Sequence, residues 1–358
     1  MRRGVLVLGG LLAPLATLGA QEGHVAIAST TDPVSQAIVG AIVVGVFVLL
    51  TLEAAHRVLI AMGGVALLFL ISYFTPFRLI TFDSVAQALD INVLVLLASM
   101  MAVVGVLKTT GVFEWAVGHL MLRAGARPLV LLALIGWFTA VMSAFLDNVT
   151  TVIFVTPMVI GMARRLKLNP TVYLLPMIMA SNIGGTATLI GDPPNIMIGS
   201  GANLSFLDFI EDLTLPSVLM IFWLEWYSRR YFARDLRAAQ SNGAGIDLRP
   251  PALADPTLAR WLAIISAGIL VGFLTHHITG MSPAVPALVG AAAALGIQDW
   301  LYVRSARPTA EERTHGILHV TEHEIEWPTL SFFGFLFIVV GAAVQTGLIE
   351  TLAGGLQW

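Results

Sequence analysis

Six apolar runs, each near the length that crosses a bilayer, constrain this chain more than any other feature. They fall at residues 35–52, 58–74 and 91–107, and after a polar break at 229–257 they resume at 260–274, 283–297 and 328–344. About 20 residues of helix span the hydrocarbon, and backbone groups there must be paired internally. With 57% of the 358 residues hydrophobic and 11% charged, and a mean hydropathy of +0.85, the chain is expected to be an all-α polytopic membrane protein. A net charge of -3 without a basic patch beyond those at helix ends argues against nucleic-acid partners. There is no cysteine, so chemistry must come from oxygen and nitrogen ligands.

The opening "MRRGVLVLGGLLAPLATLGAQEG" places two arginines before a short apolar run and then small residues. This predicts a secretory signal peptide over residues 1–20, with an uncleaved first helix as the alternative. Cleavage after Ala20 would leave Gln21 outside the membrane.

Residues 128–162 are apolar except for "LDNVTT" in the middle. Arg123 and Arg127 precede them, and Arg164, Arg165 and Lys167 follow. The positive-inside rule puts both ends in the cytoplasm, so the segment is read as a re-entrant hairpin with Asp147 and Asn148 at its tip. Residues 171–208 would then cross outward as an interrupted helix, and 215–227 would return to the basic "RRYFARDLR".

The Gly, Pro and Asp content of 241–256 marks a linker. At a constant offset of 236, Val103, Val104 and Gly105 match Val339, Val340 and Gly341. The same offset pairs Thr110, Gly111, Glu114 and Gly118 with Thr346, Gly347, Glu350 and Gly354. Residues 21–233 are therefore read as a first repeat and 234–256 as a cytoplasmic linker. Residues 257–358 are read as a second, inverted repeat, a common plan for secondary transporters. The second repeat stops where a counterpart hairpin should begin, so the chain is expected to be a fragment.

"SNIGGTATLIGDPPNIMI", residues 181–198, breaks the apolar pattern most sharply. Pro193 and Pro194 are expected to end the helix arriving from Tyr173, with Gly184, Gly185 and Gly191 permitting unwound backbone. An interrupted helix offers carbonyls at one half-end and amides at the other. Asp147 and Asp192 are the only carboxylates between Glu114 and Asp208, and a carboxylate at membrane depth marks an ion or proton pathway by default. Thr150 and Thr151 flank Asp147 and Asn148, while Asn182, Thr186, Thr188 and Asn195 flank Asp192. These hard oxygen donors suit Na⁺, and a protonatable carboxylate could carry H⁺ instead; no other cofactor is implied.

Plainer readings compete. Asp-Asn is an ordinary turn and helix-start signal, and glycines also let helices pack closely. His56, His119, His276 and His277 lie near predicted helix ends without zincin spacing. Glu53 and Glu114 read as interfacial, and Trp223, Trp226, Trp300 and Trp327 as an aromatic belt. The charged stretch 304–326 reads as a solvated cytoplasmic loop.

Together, "FLDNVTTVIFVTPMVI" and "SNIGGTATLIGDPPNIMI" resemble the paired motifs of the ion transporter superfamily. That superfamily contains arsenite permeases, pink-eyed-dilution-type permeases, citrate and dicarboxylate carriers, and sodium/proton antiporters. The dicarboxylate carriers have Ser-Asn-Thr at the hairpin tip; here Asp147, Asn148 and Thr150 stand there with Val149 inserted, which looks like the arsenite permease and pink-eyed-dilution branch. The resemblance implies one cation and substrate site on a mobile domain, an elevator-type cycle and a homodimer. By position, Asp147, Asn148 and Thr150 would hold the coupling ion, Gly184, Gly185 and Thr186 would offer further ligands, and Asp192, Pro193, Pro194 and Asn195 would shape the break. The superfamily also has a second hairpin and break, which this sequence lacks.

The expected function is secondary active transport of a small inorganic or organic ion, such as arsenite, coupled to H⁺ or Na⁺. The expected place is the cytoplasmic membrane of a bacterial-type cell, multi-pass in the lipid bilayer. A sodium/proton antiporter is the alternative within the superfamily. An intramembrane aspartyl protease is the rival from the enzymes, since it too needs two membrane aspartates and a Pro-Ala-Leu element, which Pro286, Ala287 and Leu288 would supply. It also needs Gly-x-Gly-Asp, and Leu189 stands where the first glycine belongs. A purely structural membrane protein would leave the polar motifs as unexplained costs.

Overall fold

The computed structural model describes residues 32–124, 127–165, 169–202, 204–240, 252–306 and 319–355. The expected signal peptide, most of the linker at 241–251, and residues 307–318 of the charged stretch lie outside them. In chain order the helices are α1 (Pro33–Thr51), α2 (Arg57–Phe74), α3 (Phe82–Ala88), α4 (Ile91–Thr109), α5 (Val112–Ala124), α6 (Pro128–Phe145), α7 (Asn148–Arg165) and α8 (Thr171–Thr186). They continue as α9 (Pro193–Ala202), α10 (Phe206–Tyr231), α11 (Ala233–Gln240), α12 (Pro256–Thr279), α13 (Ala284–Ala306), a π-helix at Val320–Glu324, α14 (Trp327–Gln345) and α15 (Leu348–Gly355). There is no strand among the described residues.

Seven of these helices, α1, α2, α4, α6, α12, α13 and α14, are long and apolar enough to cross a membrane. Six coincide with the apolar runs, five of them to within about five residues, while α13 continues past its run to Ala306; the seventh is the first arm of the hairpin. Large apolar side chains remain exposed along them, among them Val44, Leu67, Ile264 and Val271, as expected where the surroundings are lipid. The molecule is an all-α polytopic membrane protein. The helix starts are chemically marked: Asp32 and Asp255 accept from the first amides of α1 and α12, each followed by a proline at the first helical position.

The described residues divide into two compact units, one made of those up to Asp90 together with those from Pro328 onward, and the other of those between Ile91 and Trp327. In the first, Val39 of α1, Val65 and Leu68 of α2 and Val339 and Ala342 of α14 share a buried core. Gln36 donates to the Thr346 carbonyl across it at 3.0 Å. Ala88, at the end of α3, lies against Gly341 of α14, where a Cβ would collide with it.

In the second unit α6 and α8 form the most extensive helix contact. Leu131, Leu132 and Ile135 of α6, Val155 and Val159 of α7, and Tyr173 and Met177 of α8 build the main core. Leu236 of α11 joins it, so residues 233–240, in a stretch read from the sequence chiefly as linker, begin as a docked helix. The end of the charged stretch is also docked rather than solvated. Val320 is fully buried, and Glu324 takes Lys108 of α4 in a two-point ion pair at 2.9 and 3.0 Å. Gly105 makes room for this segment, because its Cβ would stand 2.5 Å from that of Glu324.

The residues aligned at the offset of 236 adopt the same local geometry. Gly111 and Gly347 have φ of 73° and 70°, the left-handed region that favours glycine. Thr110 and Thr346 before them are fully buried. Gly111 N–H donates to Lys108 O and Gly347 N–H to Val344 O, at 3.1 and 2.9 Å.

Candidate functional site

The chain turns between α6 and α7 with almost no loop: α6 ends at Phe145 and α7 starts at Asn148. Asp147 secures the new helix. Its Oδ1 accepts the Thr150 amide at 2.7 Å, its Oδ2 accepts the Thr150 hydroxyl, and its carbonyl accepts the Thr151 amide at 3.0 Å. The plain helix-start reading of Asp-Asn is therefore correct for Asp147, whose two carboxylate oxygens are both engaged locally. Asn148 behaves differently. Its amide donates to Asn182 Oδ1 at 3.1 Å, while its own Oδ1 is buried without a partner. One turn along α7, Thr151 is 1% exposed and its hydroxyl is likewise unpartnered.

Opposite the tip, α8 ends at Thr186 and α9 starts at Pro193, so residues 187–192 form the break. The prolines do not end the incoming helix; they occupy the first two positions of the outgoing one, where a missing N–H costs nothing. Side chains replace the lost helical hydrogen bonds. Asn195, 8% exposed, donates from Nδ2 to the Gly185 and Thr188 carbonyls at 3.1 and 2.9 Å. The Thr188 hydroxyl donates to Ala144 O in α6 and accepts the Gly191 amide at 3.2 Å.

The glycines of the motif serve close approach and not a left-handed backbone, which among the described glycines is confined to Gly111, Gly280 and Gly347. Gly184 lies inside α8 against the backbone of Ala140. A Cβ at Gly185 would stand 2.7 Å from Gly191 O and 3.2 Å from Ser143 Oγ. Through this gap the tip and the break are joined: Ser181 Oγ lies 3.1 Å from Ser143 Oγ and 3.1 Å from the Asn148 carbonyl.

Asp147, Asn148, Thr150, Thr151, Asn182, Gly184, Gly185, Gly191 and Asn195 thus gather around one joint. Thr186 faces away, bonded to Ile183 O at 2.7 Å and near Ser217 of α10. Asp192 is half-buried in the break. Ser143 and Ser181, not singled out in the sequence, hold the joint together. The signal for them is the spacing Gly136, Thr139, Ala140, Ser143, a stripe of small residues on one face of α6.

No group of three or more His, Asp or Glu that could hold a metal ion occurs among the described residues. The donors left free, Asn148 Oδ1 and Thr151 Oγ1, are neutral hard oxygens three residues apart on one helix face. They suit a weakly held monovalent cation and not a divalent ion demanding several carboxylates.

Comparison with known proteins agrees with this architecture. A family model described as citrate transporter matches residues 47–358. A protein of Mycobacterium tuberculosis described as an uncharacterized transporter is 34% identical over 313 residues, covering 87% of this chain and 69% of that protein. The 46 kDa membrane protein of Mycobacterium leprae is 32% identical over 311 residues, covering 86% of this chain and 68% of that protein. The human P protein is 36% identical over 165 residues, 46% of this chain and 20% of that protein. A second uncharacterized transporter of Mycobacterium tuberculosis is 35% identical, and the chain spans 60% of its length. The chain belongs to the citrate transporter family, within the ion transporter superfamily, and is a multi-pass membrane transporter and not an enzyme.

Proposed function

We propose that the protein is a secondary active transporter of a small inorganic or organic anion, coupled to H⁺ or Na⁺, in the cytoplasmic membrane of a bacterial-type cell. The observation that carries this reading is the joint of hairpin tip and helix break, with two buried hard oxygens, Asn148 Oδ1 and Thr151 Oγ1, left without partners. Such atoms are costly unless they serve a ligand. Their depth fits a transport site. The tip meets α8 at Ser181 and Asn182, about 15 Å from the start of that helix at 1.5 Å per residue, roughly half the hydrocarbon thickness. Each hairpin arm has 18 residues, about 27 Å, so the contact with α8 and not arm length supports a tip near the midplane.

Asp147 and Asn148 are the residues assigned to the coupling ion, with Thr150 fixing the carboxylate. An acidic tip repels an anion in proportion to its charge, which disfavours a dicarboxylate, unless protonated or cation-bound, relative to arsenite or another inorganic anion of lower charge. The residues 128–162 and 171–208 would move together against a scaffold in an elevator-type cycle, within a homodimer. The test is uptake of arsenite and of citrate into proteoliposomes under imposed H⁺ or Na⁺ gradients, using the full-length protein and Asp147→Asn. Gradient-driven uptake lost or uncoupled in the variant is expected; unchanged, pH-dependent flux removes Asp147 from coupling.

The two free oxygens also favour a second reading, a sodium/proton antiporter with Na⁺ itself as cargo. Sodium-dependent proton release from the same vesicles without any anion would establish it over anion transport.

A further inference from the structure

Glu225 of α10 has no part in the site described above, yet it is 6% exposed. Its Oε2 is buried without a hydrogen-bond partner. Arg229 Nη2 stands 3.6 Å from that oxygen, beyond hydrogen-bond length. Gly136 of α6 provides the notch for the other oxygen, since a Cβ there would overlap Glu225 Oε1. A carboxylate so placed is poorly compensated as an anion.

From that notch a line of hydroxyls follows α6 toward the hairpin tip. Thr139, three residues on and hence on the same face, is fully buried with its Oγ1 unpartnered. Ser143, fully buried four residues later, meets Ser181, which reaches the Asn148 carbonyl. Gly136 to Ser143 is about 10 Å along the helix. The far end of α10 carries Arg229 and Arg230 in its last turn, a cluster read as cytoplasmic.

We propose that Glu225 is a proton-binding site at the cytoplasmic end of this row of small polar residues, exchanging protons with water on the Arg229 side. A proton from water on the Arg229 side adds to the carboxylate to give the neutral acid. On release the acid returns that proton to water on the same side and the carboxylate again faces Arg229; Thr139 Oγ1, which has no hydrogen-bond partner, does not carry it on to Ser143. This rests on the reading of the protein as an ion-coupled transporter. The helices packed on α10 are α6, α8, α11 and α12. The first two carry no charged side chain, α11 carries Arg234, Asp235 and Arg237, and α12 carries Arg260 with His276 and His277 in its last turn. Among the described residues Arg229 is the cation paired with Glu225.

The experiment is infrared titration of the purified full chain in detergent, following the protonated-carboxyl band in wild type, Glu225→Gln and Arg229→Gln. The expected result is a titrating band lost in Glu225→Gln and moved to higher pH in Arg229→Gln, because removing the cation disfavours the ionised form. A wild-type spectrum unchanged by Glu225→Gln overturns the proposal. Should that variant fail to fold, Arg229→Gln, altered at a half-exposed side chain, carries the test, and an unmoved titration overturns the site. The readout needs no transport: vesicles without gradient-driven uptake but with the band intact refute the transport reading alone.

Discussion

Replacing Gly184 by alanine tests whether the glycines of the break exist for helix approach. An ideal Cβ at 184 would sit 2.5 Å from Ala140 Cα and 2.6 Å from its carbonyl carbon. Comfortable carbon contacts lie at about 3.5–4.0 Å, so α6 and α8 must part locally by about 1 Å. The opposing atoms are backbone inside a helix and cannot rotate away, which places the cost near the upper end of overpacking, about 3 kcal/mol. Alanine returns about 1 kcal/mol of helix propensity, leaving a net loss of about 2 kcal/mol. Gly161→Ala is the control: it lies inside α7 with nothing within 4 Å of the added methyl, and should gain about 0.5–1 kcal/mol. Thermal unfolding in detergent, read as loss of the monodisperse peak, compares the two. Gly184→Ala melting at or above wild type would refute the close-approach argument and return these glycines to a purely conformational role.

Asn195→Asp keeps the side chain's shape but replaces the amide donor with an acceptor facing the Gly185 and Thr188 carbonyls. The expected cost is about 2–3 kcal/mol of stability with loss of uptake at neutral pH; a variant as stable and active as wild type would show that the amide does not close the break. Lys108→Met should destabilise more than Lys108→Met combined with Glu324→Met, by about 1–3 kcal/mol, since the single change leaves Glu324 with a side chain 9% exposed and unpaired. Melting temperatures across the four-member cycle check it, and additive effects would mean the pair is electrostatically idle. Gly111→Ala and Gly347→Ala should each cost about 1–2 kcal/mol for the left-handed backbone. Gly111 should cost more because its methyl would also press on the Ala254 amide at 3.3 Å; either variant melting higher than wild type would contradict the assigned φ.

The spans were legible because lipid imposes length and polarity on every crossing helix, and residues such as Pro33, Pro256 and Gly280 mark their ends chemically. The turn at Asp147 was legible for the same local reason. The position of the break was not. The sequence points to Pro193 and Pro194, but α8 stops at Thr186, where Asn195 takes the Gly185 and Thr188 carbonyls and the Thr188 hydroxyl is drawn to the Ala144 carbonyl of the neighbouring α6. Nor was the role of Glu225 legible: its burial depends on the absence of a side chain at Gly136, 89 residues earlier in the chain. Docking of the acidic stretch at 319–325 depends likewise on Gly105. A charge reads as solvated until the notch that receives it is known.

The segments aligned at the offset of 236 also share contacts between residues that are not themselves alike. Ala88 meets Gly341, and Glu324 meets Gly105. The offset of 236 that aligns the two glycines also aligns Ala88 with Glu324. In each case the segment just before one of the two helices α4 and α14 lies on the glycine of the other. Chance similarity of small apolar residues could align Gly105 with Gly341, but it gives no reason for the residues resting on them to stand at the same offset in exchanged order. Only one of the two contacts is ionic. Lys108 pairs with Glu324, while its counterpart Val344 and the residue Ala88 offer no charge. Lys108 also lies 5.0 Å over the ring of Phe154 in the hairpin arm α7. The notch is therefore common to the two aligned segments, and the charge pair is an addition at the contact beside the hairpin.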